Sequence, residues 1–76
     1  MEERRNMKNP ILNLDSNEKV VVLATSLLLT TKEWENVPVF VIVNKVANNM
    51  DMKIVDSDIV RLTKIVSDYE LYLEGK

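Results

Sequence analysis

Between positions 59 and 73 the large apolar residues recur as Ile59, Leu62, Val66, Tyr69 and Leu73, at alternating spacings of three and four. Successive helical residues turn by about 100°, so this spacing draws one continuous apolar seam along an α-helix, whereas a strand would scatter it over both faces. A seam of that length needs covering, by other parts of the chain or by another molecule.

The chain offers little bulk to cover it. Seventy-six residues make one domain, and so short a chain buries only a modest fraction of its surface. Apolar residues form 46 % of the chain and charged residues 29 %, a balance that gives a folded core with a solvated exterior rather than wholesale disorder. Cys and His are both absent. Disulfides, thiolate nucleophiles, zinc sites of thiolate or imidazole type and an imidazole base are excluded with them, and noncovalent packing must hold the fold.

We expect an all-α fold, a small bundle of three helices at approximately 16–34, 37–49 and 57–74 with a mobile N-terminal arm over 1–9; the alternative is an α+β fold with a strand near 37–43. In the arm, charged and polar residues follow no period, and Pro10 keeps its predecessor out of the helical region. Asp15 and Ser16 both suit a helix N-cap; Asp15 with Glu18 has the spacing of a capping box, and Leu14 is its staple residue. Positions 20, 23, 24, 27 and 28 then form one broad apolar face, widened by Val21, Val22 and Leu29. Thr30, Thr31 and Lys32 offer an end to this helix, and residues 32–35 a further turn of it.

Residues 37–43 contain four Val, one Ile and one Phe, which favours a strand. Against that, Asn36 can cap, Pro38 suits a first helical turn, and Val39, Phe40, Val43, Val46, Ala47 and Met50 keep the three-and-four spacing for longer than a short strand runs. Pattern outweighs propensity, and the segment reads as the second helix. Asn48, Asn49 and Asp51 then turn the chain. Asp56, Ser57 and Asp58 supply cap candidates for the third helix, and Gly75 its stop.

Familiar chemistry finds no foothold. Glu33 with Glu35, and Asp56 with Asp58, are the close acidic pairs, and each reads more simply as helix-end charge or as the flanks of Trp34. No serine has a histidine to activate it, and Ser26 reads as a small buried hydroxyl bonded to the preceding helical turn. The sole glycine, Gly75, excludes a standard phosphate loop. No catalytic residue, cofactor or metal site is assigned, and the chain is not expected to be an enzyme. The apolar run at 20–29 is shorter than a membrane span, and Glu2 and Glu3 spoil the basic start of a secretory signal, so the expected location is the cytoplasm.

Association has better material. Trp34, Tyr69 and Tyr72 combine large apolar area with a polar handle, and Leu71 and Leu73 widen the last helix beyond what one core can cover. These five are the candidate protein interface, and the expected function is a small noncatalytic interaction or regulatory module acting through apolar helical surfaces as a homodimer. An unlike protein partner would make it a structural component of a larger assembly. A DNA-binding regulator of helix-turn-helix type is the other alternative, with Asn44, Lys45, Asn48, Arg61 and Lys64 as contacts. A net charge of -2 without a single-sign field weakens that reading.

Overall fold

The chain enters its first helix through two short polar side chains. In the computed structural model, which describes residues 9–75, the Asn9 side chain accepts the Ile11 amide at 3.1 Å. The Asn9 carbonyl accepts that of Leu12 at 3.2 Å, and this turn around Pro10 carries Ile11 into the core. The arm expected over 1–9 lies, apart from Asn9, outside the described residues. Asp15 then accepts the Glu18 amide at 2.8 Å and caps α1, Ser16–Leu28. The capping box is half made, because the Glu18 carboxylate reaches to Arg61 instead of back to the cap.

α1 ends at Leu28 rather than 34. The Thr30 and Thr31 hydroxyls donate to the carbonyls of Leu27 and Leu28 at 2.6 and 2.8 Å, and their amides bond the same two carbonyls at 3.1 and 3.0 Å. Carbonyls that a further turn would use are thereby satisfied locally. Two more tight turns follow, Trp34 amide to Thr31 carbonyl and Val37 amide to Trp34 carbonyl.

Residues 37–43 do not pair as a strand; the second helix, α2, spans Val39–Asn49. Its N-cap residue is Pro38, with ψ 141°, and not Asn36. A proline excludes its predecessor from the helical region, so Val37 cannot be a helical residue. At the other end Asp51 takes φ 58°. The Met52 amide bonds the Ala47 carbonyl and the Asp51 amide that of Asn48, both near 3 Å, which is the Schellman pattern with a left-handed residue after the cap. Met52 and Ile54 pack against the core while Lys53 and Val55 face water, a period-two link into α3, Asp56–Glu74.

Val55, and not one of the acidic residues, is the N-cap of α3 and makes no side-chain cap. Asp56 and Asp58 fall in the first turn, where their charge favours the helix start. Gly75 is the C-cap but keeps a right-handed φ of -80°, so the stop does not use glycine's freedom.

The three helices pack pairwise around Ile11, Val21, Val22, Ile42, Val43, Val46, Ala47, Leu62 and Val66. The α3 seam faces inward as its spacing predicts from Ile59 through Leu62 and Val66 to Tyr69, but its last member, Leu73, is exposed. α1 is rotated from expectation: Val21, Val22 and Thr25 are buried, whereas Val20, Leu23 and Leu27 are exposed. The face turned inward is the one that stays apolar to the helix's end at Leu28 and beyond it, through Leu14 before it and Leu29 after it, all packed on the core. In α2, likewise, Ile42 is buried and Phe40 is exposed.

Leu62→Ala is expected to lose about 2–5 kcal/mol, comparable with the whole stability of a chain this short. Urea titration followed by circular dichroism measures it, and a loss under about 1 kcal/mol would mean the core lies elsewhere. Asp51→Gly should gain roughly 0.5–1 kcal/mol, since a left-handed non-glycine costs more than glycine's extra chain entropy. An unchanged or lower unfolding midpoint would contradict the left-handed turn.

Candidate interaction surfaces

α3 divides the five candidate interface residues. At about 100° per residue, Tyr69 and Leu73 continue the face of Leu62 and Val66, whereas Leu71 points nearly the opposite way. Tyr69 packs on the core, and its ring stacks with that of Tyr72 at 6.2 Å between centroids and 19° between planes. Leu71 and Leu73 are exposed. No α3 residue after Val66 is buried. Trp34 sits in the turn after α1, packed on the core, with Lys45 Nζ 6.0 Å from its ring centroid. The five residues therefore do not form one patch: Trp34 and Tyr69 serve the monomer, and Leu71 and Leu73 leave the helix on different sides.

The polar candidates are also distributed. Asn44, Lys45 and Asn48 are exposed on α2, and Arg61 and Lys64 on α3. Arg61 ties α3 to α1 through Glu18, and to Asp58 on its own helix at 3.3 Å. The hydrogen bond to Glu18, opposed by desolvation and helped by Asp58, raises its pKa above the ordinary arginine value. Being raised, the charge persists at every pH at which the fold can be handled. Lys64 meets Asp68 at 3.6 Å, the helical pair its spacing suggests.

Two apolar surfaces were not assigned from sequence. The first is the outer side of α1, where Val20, Leu23 and Leu27 stand 48 %, 43 % and 69 % exposed. The second is an open groove of about 300 Å³ between the N-terminal halves of α2 and α3, lined by Phe40, Asn44, Asp56, Ile59 and Val60. A signal for the first was present: no charged residue occurs between Lys19 and Lys32, so whichever face of α1 met water had to meet it without charge. The groove carried none, because Phe40 and Val60 fit an apolar repeat as well as their buried neighbours do.

Thr25 Oγ1, Ser26 Oγ and Thr63 Oγ1 are buried without a hydrogen-bond partner in the protein; Ser26 thus lacks the bond to the preceding turn expected of it. Among the described residues no group of three or more His, Cys, Asp or Glu side chains could hold a metal ion. No helix among them is long and apolar enough to cross a membrane. Comparison with protein families, curated proteins and solved structures finds no match to this chain.

The Glu18–Arg61 pair is partly solvated, with the two side chains 19 % and 43 % exposed. A double-mutant cycle with Glu18→Gln and Arg61→Gln should therefore give a coupling of about 0.2–1 kcal/mol that shrinks in high salt. A larger, salt-independent coupling would place the pair in a drier setting.

Proposed function

We propose that this chain is a small noncatalytic interaction or regulatory module of the cytoplasm, acting through apolar helical surfaces as a homodimer. The supporting observation is the exposure of apolar side chains in continuous strips. Among the described residues, ten large hydrophobic ones are exposed against nine hydrophobic ones buried. Single exposed leucines are ordinary on any protein, whereas contiguous ones mark surfaces that meet other molecules. Val20, Leu23 and Leu27 are contiguous on α1, and Phe40 and Val60 share the wall of one groove.

The charge arrangement favours this reading over the DNA-binding alternative. Arg61, Lys64 and Lys45, the cations that would approach phosphates, each have a local partner in Glu18 and Asp58, Asp68 and the Trp34 ring. Phosphate binding would have to compete with those contacts.

Light scattering on the purified chain tests the self-association. The expected particle has twice the 8.8 kDa mass of one chain at high micromolar concentration and dissociates on dilution. A particle of one chain's mass throughout removes the homodimer.

A further inference from the structure

We propose that the turn closing α2 is a redox latch: Met50 and Met52 hold the link to α3 against the core, and conversion of their sulfurs to sulfoxides by hydrogen peroxide releases it. Cysteine is absent, so methionine carries the soft, oxidisable sulfur of this chain. Among the described residues it occurs only on either side of Asp51, while Met1 and Met7 lie outside them. That placement is structural. With Met50 as the C-cap of α2, Asp51 is the left-handed residue at φ 58°. Met52 follows it, and its amide reaches back to the Ala47 carbonyl at 3.0 Å. In a Schellman ending, an apolar side chain at this position pairs with the third and fourth residues from the helix end. Here those are Ala47 and Val46, both in the core. A left-handed aspartate is itself unfavourable, so the turn relies on the apolar side chains that flank it.

Met50 and Met52 both pack on the core and both stay half-buried. Deeper burial would shield the sulfur from an oxidant dissolved in water, and full exposure would make its oxidation harmless. In the reaction a sulfur lone pair attacks one oxygen of the peroxide; an S–O bond forms, the O–O bond breaks and the other oxygen leaves as water. Sulfur is oxidised by two electrons and peroxide is reduced by two. The sulfoxide oxygen is a strong acceptor that needs water or a donor, and an aliphatic core offers neither. The effect has a defined reach. In the link, Met52 and Ile54 are packed on the core, whereas Lys53 and Val55 are exposed. Freeing Met52 leaves Ile54 alone to hold the link, which carries the chain from α2 to the start of α3, where Phe40 and Val60 share a groove. Oxidation thus loosens one wall of that groove, and reduction of the sulfoxide restores it.

The test treats the full chain with hydrogen peroxide and reads oxygen uptake at each methionine by peptide mass spectrometry. Oxidation at 50 and 52 should speed hydrogen exchange of the Asp51 and Met52 amides, bonded to the Asn48 and Ala47 carbonyls, roughly tenfold or more. Methionine sulfoxide reductase should reverse the change. The double variant Met50→Leu with Met52→Leu keeps the packing volume without the sulfur. It should retain slow exchange after the same treatment, although Met1 and Met7 still take up oxygen. A chain oxidised at 50 and 52 whose two amides exchange as before overturns the latch. Uptake at 50 and 52 only in urea-unfolded chain also overturns it, because the sulfurs are then sealed in the fold. Neither of these outcomes needs a substitution, so both hold whether or not the variant folds. A folded double variant that loosens as much as the unaltered chain places the effect elsewhere and overturns the latch as well.

Discussion

The bundle depends on one aliphatic contact, where Val21 and Val22 of α1, Ile42 and Val43 of α2 and Leu62 and Val66 of α3 jointly exclude water. Most of the side chains in this core are β-branched, and such residues are indifferent helix formers. Helices of 13 and 11 residues would be marginal alone, so each helix exists because the other two cover it. Stiff side chains lose little rotamer freedom when buried, which suits a core made of few groups. No aromatic residue is fully buried. Trp34 and Tyr69 lie at the rim, each shielding one edge of the aliphatic centre.

That arrangement sets what the sequence could reveal. The α3 seam was legible because its other faces carry Arg61, Lys64, Asp68 and Glu74, so that only one orientation buries the apolar set. The cap at Asp15 and the turn at Asn48, Asn49 and Asp51 were legible because short polar side chains have few local uses. The inward face of α1 was not. Val20, Leu23 and Leu27 form as good a stripe as Val21, Val22 and Leu28, and periodicity cannot rank two apolar faces of one helix. What ranked them was the company outside the helix, Ile11 and Leu14 before it and Leu29 after, which converges on the second stripe. The same ambiguity exchanged Phe40 for Ile42 in α2. The end of α1 was obscured for another reason: Lys32, Glu33 and Glu35 are good helix formers, and two threonine hydroxyls closing the preceding carbonyls leave no mark in an apolar pattern.

The candidate interface fared likewise. Aromatic side chains drew Trp34, Tyr69 and Tyr72 into one group, yet in a small core the largest side chains are also the best covers for its edges, and two of the three are used that way. The exposed apolar surface falls to aliphatics such as Val20, Leu23, Leu27 and Val60, together with Phe40. Arg61 shows the converse: named from the sequence as a nucleic-acid contact of the alternative reading, it reaches across to α1 and joins two helices through Glu18.

The helices also differ in length, and the consequence is mechanical. α3 has 19 residues against 13 and 11 in its neighbours, and the last of them to be buried is Val66. The backbone bonds of its final turn, including Gly75 to Leu71 at 3.0 Å, rest on local helix energetics rather than on burial. Such a turn opens without disturbing the centre of the molecule, so its amides exchange with solvent on a faster clock than those around Leu62. One continuous helix thus holds two grades of rigidity, firm where three helices meet and yielding in the last turn beyond them.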